Sequence, residues 1–154
     1  MSALRAVAVA LGVAAVLVTA TLYASDYAWA AAKEALRSTP AEHDREALAA
    51  LDPAVRGYVD AVAARDLDAL VTVFDPHATV DDTGRLFRGR AAIEDWARDE
   101  VVGGSVVVLH TTPAGAGPTV LLRFDPAGLM APFRARYAFD VEHDVITRIT
   151  LRYA

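Results

Sequence analysis

Residues 55–93 read VRGYVDAVAARDLDALVTVFDPHATVDDTGRLFRGRAAI. Apolar side chains recur there at helical spacing in two successive groups, Val55, Tyr58, Val59 and Val62 and then Leu67, Leu70, Val71 and Phe74. A helix-start signal precedes each group, Asp52-Pro53 and then Asp66, because aspartate caps free amides and proline suits the first helical position. The stretch therefore predicts two short helices, each with one buried stripe, followed after Asp75-Pro76 by a strand from Ala78 to Asp82.

The rest of the chain predicts one more helix and a series of hairpins. Thr83-Gly84 predicts a turn with a return strand from Arg85 to Phe87, and Gly89 opens the third helix. Four further strands are predicted, Ser105 to Thr112, Thr119 to Phe124, Phe133 to Asp140 and Val145 to Tyr153. Helices followed by hairpin-linked strands are typical of an α+β fold, so we expect a cone-shaped α+β barrel with helices packed on a curved, mostly antiparallel sheet. Alternation in the third of these strands places Phe133, Ala135, Tyr137 and Phe139 on one face, the predicted lining of a cavity.

Residues 6–24 form a run of 19 uncharged, mainly apolar residues after Arg5. This length just reaches what a helix needs to cross a bilayer core. We therefore predict a hydrophobic N-terminal helix, a transmembrane anchor in residues 1–25, then a helical stalk and linker in residues 26–43, and a folded domain in residues 44–154. Two alternatives stay open. Ala28-Trp-Ala30 resembles the cleavage site of a signal peptide, and an Ala/Val helix could also be buried or bind a partner in a soluble protein.

Charge limits the partners and the location. From Glu42 onward the chain has 12 Arg and 18 Asp or Glu residues, a net charge of −6, which disfavours a nucleic-acid partner. The few charges that flank the apolar run weakly favour a cytoplasmic N-terminus. We therefore expect a membrane-anchored domain outside the cytoplasm, or a secreted one if the segment is a cleaved signal. The chain has no cysteine and its four histidines lack metal-ligand spacing, so the sequence indicates neither a metal ion nor a cofactor.

Residues 55–93 resemble the SnoaL-like and ketosteroid isomerase-like branch of the nuclear transport factor 2-like superfamily. The resemblance is carried by the helix pair around Arg65-Asp-Leu-Asp68, the strand Ala78-Thr-Val-Asp-Asp82, and Arg88-Gly-Arg-Ala-Ala-Ile93 at the start of the third helix. The later strands match in pattern. The resemblance implies the cone-shaped fold, but the family includes isomerases, cyclases, hydrolases, dehydratases and members without chemistry, so fold alone does not choose a function.

The resemblance also implies two catalytic positions. Tyr58 falls where the isomerases keep a tyrosine that donates a hydrogen bond to the substrate's enolate oxygen, and Asp82 falls where they keep the general base. Two other positions depart from the isomerase pattern. A second oxyanion donor would fall near Ala135 and a supporting tyrosine at Ala97, and neither alanine can donate. Since the loss of one donor typically lowers the rate by about two to three powers of ten, a standard ketosteroid isomerase is not expected.

The candidate residues also have structural explanations. Tyr58 lies on a core stripe, and Asp82 directly precedes Thr83-Gly84, where it could cap the turn. His110 could face the cavity as an acid or base, or be a partly buried structural histidine. Three aromatic residues are predicted to be walls of the ligand pocket, Phe87, Trp96 and Tyr137.

The sequence leaves three functions open. It favours an apolar pocket that binds a small hydrophobic ligand. The first alternative is an enzyme of the isomerase, cyclase or hydrolase type, with Asp82 as general base and Tyr58 as hydrogen-bond donor. The second is an interaction module without chemistry, whose sheet face forms a homodimer or docks on another protein.

If residues 6–24 span the bilayer, the full-length protein should remain in the membrane pellet after an alkaline carbonate wash, because a transmembrane helix is inserted effectively irreversibly. A chain that starts at Ala41 should instead be recovered in the soluble fraction. Fractionation followed by immunoblotting measures both. Release by carbonate of a protein that still begins at Met1 would contradict the anchor.

Overall fold

The computed structural model describes residues 43–128 and 130–154. The predicted anchor in residues 1–25 lies outside this part of the chain, as does all but the last residue of the predicted stalk and linker. Among the described helices, none is both long and apolar enough to cross a membrane.

Helices precede most of the strands, as the sequence predicts. The helices are α1 (Arg45–Ala49), α2 (Pro53–Ala64), α3 (Leu67–Thr72) and α4 (Arg90–Trp96), which runs directly into a π-helical turn (Ala97–Val101). The strands are β1 (Phe74–Asp82), β2 (Arg85–Arg88), β3 (Ser105–Thr112), β4 (Thr119–Asp125), β5 (Phe133–Glu142) and β6 (Val145–Tyr153).

The strands form one curved six-stranded sheet in the order β2-β1-β6-β5-β4-β3. Neighbouring strands are antiparallel except β1 and β6, which pair in parallel with Val80 opposite Ile149. The sheet is therefore mixed and mostly antiparallel. With the helices packed against it, this architecture confirms the predicted α+β fold.

The capping signals set the helix boundaries. The Asp52 carboxylate accepts a hydrogen bond from the N–H of Ala54 at 2.9 Å, and proline occupies the first position of α2. Arg65 ends α2 in the left-handed conformation, with a φ of 57°. Asp66 then caps α3 by accepting a hydrogen bond from the N–H of Ala69 at 2.9 Å. These contacts confirm the predicted break between the two helices.

The predicted boundary at Asp75-Pro76 is wrong, because α3 ends at Thr72 and the dipeptide lies inside β1. Between Phe74 and Thr79, β1 advances five residues while its partner β6 advances only two, from Ile146 to Arg148. This irregularity leaves the proline, which has no N–H to donate, outside the regular ladder. Phe74 therefore begins the strand instead of ending the helical stripe, although it is buried as expected.

β5 shows how the sheet divides the core from solvent. Ala135, Tyr137 and Phe139 are 2, 4 and 2% exposed, whereas Arg134 and Arg136 between them are exposed. This confirms the predicted alternation of the strand. Burial of each large apolar side chain is worth about 1.5–3 kcal/mol, so this inward row is a main source of stability.

The loop that connects β3 to β4 packs closely on β5 at Gly117. The loop hydrogen-bonds to β5, where the carbonyl of Ala116 accepts from the N–H of Val141 at 2.9 Å. A Cβ atom at Gly117 would lie 2.3 Å from the carbonyl oxygen of Phe139. We expect Gly117→Ala to lower the free energy of unfolding by about 1–3 kcal/mol, because the backbone must shift to make room.

Urea denaturation measures the effect, with Gly115→Ala as the matched control. Gly115 lies in the same loop, and an added Cβ there meets no atom within 4 Å. The control should unfold like the parent protein. Equal stabilities of the two variants would contradict the close approach of the loop to β5.

Candidate functional site

A pocket of about 200 Å³ lies between the end of β1, the junction of α4 with the π-helical turn, and the inward side of β4, β5 and β6. Its mainly apolar wall includes Trp96, Val101, Phe124, Phe133, Ala135 and Tyr137. Six polar residues also line it and are called here the charged rim: Asp82, Thr83, Arg85, Asp99, Glu100 and Arg152. The site therefore combines an apolar interior with a charged edge.

The π-helical turn shapes one part of the wall. The N–H of Val102 donates to the carbonyl of Ala97 at 2.8 Å, which closes a turn of five residues instead of four. In a regular α-helix of 3.6 residues per turn, positions five apart face different sides. The wider turn lets Trp96 and Val101 line the same pocket. Such turns are frequent at functional sites.

Tyr58 lies behind the pocket wall and does not line the pocket. Its side chain is 2% exposed, and its ring packs edge-on against the rings of Phe139 and Phe74 at centroid distances of 5.7 and 6.3 Å. The ring of Tyr137, which does line the pocket, is 6.4 Å from that of Tyr58. Tyr58 therefore supports the wall from behind, while the predicted partner Asp82 reaches the pocket itself.

Both tyrosines are held as neutral phenols. Burial raises the pKa of Tyr58 well above its usual value, and the negative charge of Asp82 raises it further. Burial likewise raises the pKa of Tyr137, and the charges of Asp82 and Tyr153 add smaller contributions. A protonated phenol can donate a hydrogen bond but cannot act as a general base.

Asp82 ends β1 and reaches the rim with its side chain 15% exposed. Its carboxylate accepts a hydrogen bond from the guanidinium of Arg85. The same guanidinium donates to Glu100 in the π-helical turn at 2.8 and 2.6 Å, and its carbon lies 5.5 Å from the ring centroid of Phe87. One arginine thus joins the end of β1 to the π-helical turn across the rim.

The turn after β1 is capped by Asp81, and Asp82 does not serve this role. The Asp81 carboxylate accepts from the N–H of Gly84 at 2.8 Å and pairs with both terminal nitrogens of Arg152 at 3.0 and 2.7 Å. The hydrogen bond from Arg152, and then that from Gly84, lower the pKa of Asp81. The cap of this turn, which the sequence allows for Asp82, is therefore provided by Asp81.

The predicted wall residues separate into two groups. Trp96 and Tyr137 line the pocket. Phe87 packs against Trp96 with ring centroids 6.1 Å apart, and it does not reach the pocket surface. Phe87 therefore supports Trp96 from behind the pocket wall.

His110 lies outside the pocket because of a β-bulge in β3. Val108 is opposite Leu122, whereas His110 is opposite Leu121, so Leu109 is an extra residue in the ladder. In a regular strand, His110 would share the inward face with Val108. The bulge turns it to the outer face, where it is exposed, and His110 does not line this pocket.

Sequence reasoning missed Arg85 and Glu100 as parts of the site. The two residues are 15 positions apart and lie on different elements, so no local spacing connects them. The one available signal is the charge pattern, since Arg85 directly follows the predicted turn at Thr83-Gly84 and two carboxylates, Asp81 and Asp82, precede that turn. That pattern is common on solvated surfaces and does not indicate a pocket.

The model of the SnoaL-like domain family matches residues 55–152. This chain belongs to the SnoaL-like domain family. A search of curated protein sequences finds no significant match.

Solved structures share the architecture of this SnoaL-like domain. A candidate polyketide cyclase from Sinorhizobium meliloti is 26% identical, with a TM-score of 0.61 over 68% of this chain and 98% of that one. The Delta 5-3-ketosteroid isomerase of a Mycobacterium species is 15% identical, with a TM-score of 0.58 over 66% and 90%. A Mycobacterium tuberculosis protein crystallised with estradiol-17β-hemisuccinate is 14% identical, with a TM-score of 0.59 over 66% and 91%. The last two similarities show the fold alone.

The buried phenols predict a loss of stability in alkaline solution. A folded-state pKa above the unfolded value of about 10 means that the stabilising effect is complete below pH 10 and is lost as the pH rises beyond it. Removal of one phenol in Tyr137→Phe should make the decline of the melting temperature above pH 10 shallower. Phe124→Leu is the control, because it removes a buried ring that packs against Phe133 and not against either phenol, and it should keep the parent slope. If the melting temperature of Tyr137→Phe fell as steeply above pH 10 as that of the parent protein, Tyr137 would not be a source of the alkaline instability.

Proposed function

We propose that this SnoaL-like domain binds a small, mainly hydrophobic molecule in the pocket beside Tyr137. One observation carries the proposal. The pocket is open to solvent, yet its wall includes a tyrosine that is only 4% exposed and whose hydroxyl has no hydrogen-bond partner among the described residues. The hydroxyl is therefore available at the pocket wall, where a bound ligand can exchange a hydrogen bond with it.

The size of the pocket limits the ligand. Drug-sized sites typically enclose about 300–1,000 Å³. At about 200 Å³ this pocket suits a compact ring system, with the rest of a larger molecule extending through the mouth. Aromatic and aliphatic walls favour such a group by the area they remove from water.

Proteins of the same fold support the proposal by analogy. The Mycobacterium tuberculosis protein was crystallised with estradiol-17β-hemisuccinate, and another structural neighbour is a computationally designed 17-OHP binder. At 14% identity, neither similarity identifies the ligand of this chain. They support a hydrophobic ligand as the class of molecule that such a pocket accepts.

Binding explains the site better than catalysis does. The isomerase-like alternative requires Asp82 to accept a proton from the ligand and Tyr58 to contact its oxygen. In the structure the Asp82 carboxylate is occupied by Arg85, and Tyr58 lies behind Tyr137. A general base needs a carboxylate that is free to accept a proton, and the donor must contact the ligand. The two residues therefore suit a pocket wall better than a catalytic pair.

The location of the domain and its self-association rest on the sequence. We propose that residues 6–24 hold the domain at a membrane, on the extracytoplasmic side. A homodimer through the sheet face also stays a prediction. On that face Arg123 lies opposite Arg134, and neither has an ion pair among the described residues. Since like charges placed close together repel, such a dimer would need acidic residues of the partner between them.

Ligand binding can be tested with naphthylmethanol by isothermal titration calorimetry. Ala135→Leu should abolish measurable binding, because it adds a branched side chain to the pocket wall. The matched control is Ala138→Leu on the outer face of the same strand, which should bind like the parent protein. Parent-like binding to Ala135→Leu would contradict this location of the site.

The hydroxyl of Tyr137 can be tested with a pair of ligands. Tyr137→Phe should lower the affinity for naphthylmethanol by about fivefold to tenfold relative to the affinity for naphthalene. Only the alcohol loses a hydrogen bond, which is worth about 1 kcal/mol. Competition against a fluorescent hydrophobic probe measures both affinities. An unchanged ratio between the two ligands would show that the hydroxyl does not contact the polar group.

A further inference from the structure

The charge of the rim points to the class of ligand, an inference that rests on the proposed function. We propose that the pocket selects amphiphilic molecules that carry a positive charge, such as hydrophobic amines, over neutral and anionic molecules of the same shape. The apolar body lies against the wall, and the ammonium group lies at the charged rim.

One arginine of the rim is shared by two carboxylates. Arg85 donates to Glu100 at 2.8 and 2.6 Å and also to Asp82, and all three residues border the pocket. Two negative charges therefore face a single guanidinium. This trio keeps one excess negative charge at the mouth.

The second arginine of the rim is neutralised in full. Arg152 pairs with both oxygens of Asp81, at 3.0 and 2.7 Å. Asp99 borders the pocket, is exposed, and has no ion pair among the described residues. Asp99 therefore adds a second uncompensated negative charge to the one left by the trio around Arg85.

The arginine next to Asp99 in the chain does not compensate for its charge. Arg98 precedes Asp99 in the chain, but its guanidinium is bound to Asp95 at 2.7 Å and to Glu94. These three residues themselves carry an excess negative charge. In α4 and the π-helical turn, carboxylates therefore outnumber the guanidinium groups that pair with them, and this excess negative charge attracts a cation and repels an anion.

Exposed apolar side chains also line the pocket, which gives the site an apolar part as well as a charged one. Met130 and Tyr153 are 64 and 65% exposed there, and the ring of Tyr153 packs against Phe133 with centroids 5.2 Å apart. Aromatic faces near a cation add attraction of their own. An ion without an apolar body would leave this surface uncovered, which favours an amphiphile as the occupant.

Two other occupants of the rim are less well supported. An anionic ligand would have to displace a carboxylate from Arg85 or Arg152 against the excess negative charge. Among residues 43–128 and 130–154, no group of three or more His, Asp or Glu side chains is arranged to hold a metal ion. A single ammonium group needs no such cluster, because one or two carboxylates can satisfy it.

The test compares three ligands with one ring system, naphthylmethylamine, naphthylmethanol and naphthoate, by titration calorimetry on the full-length chain. We expect the amine to bind about threefold to tenfold more tightly than the alcohol, which is the usual size of an effect between partly exposed charges. Naphthoate should bind most weakly. In about 1 M NaCl, where the Debye length is about 3 Å, this order should largely disappear. Naphthoate that binds as tightly as the amine, or an order that salt leaves unchanged, would overturn the proposal.

A pair of double variants assigns the preference to the rim. Asp99→Asn combined with Glu100→Gln should bring the amine-to-alcohol ratio close to one. Asp68→Asn combined with Glu142→Gln removes the same charge from exposed positions outside the pocket and should keep the parent ratio. Equal ratios in the two double variants would refute a role of the rim. If all three ligands bind equally, the pocket stands and the charge preference fails; if none binds, the proposed function fails as well.

Discussion

The structure depends on the packing of the inward row of β5 against the helices. Tyr137 and Phe139 meet Tyr58 of α2 in a cluster of rings, with centroid distances of 6.4 and 5.7 Å. This contact fixes how closely α2 can approach the sheet. Farther along the same strand the row continues with Ala135, whose small side chain leaves space. One alternating strand thus supplies both the filled core and the wall of the pocket.

Local patterns in the sequence predicted much of this arrangement. The caps at Asp52 and Asp66, the hairpin turn at Thr83-Gly84 and the alternation of β5 are each determined by residues close in the chain, and each was predicted correctly. The placement of the inward row follows from those patterns. The helix-then-strand order was enough to predict the α+β class, because few other arrangements bury all the apolar stripes at once.

Sequence reasoning missed three features of the structure. The parallel pairing of β1 with β6, the bulge at Leu109 and the π-helical turn leave no periodic signal, and two of the three alter the site. The bulge removes His110 from the inward face. The turn brings Glu100 to Arg85 across the mouth of the pocket. Neither consequence can be read from spacing along the chain.

The central claim is that the space beside Tyr137 holds a hydrophobic ligand. Intermolecular nuclear Overhauser effects between bound naphthylmethanol and the protein test this claim most directly. We expect contacts from the naphthalene protons to the methyl group of Ala135 and the methyl groups of Val101 and Leu151, with the alcohol group near Tyr137. Contacts confined to the outer face of the sheet, or none at all at saturating ligand, would contradict it.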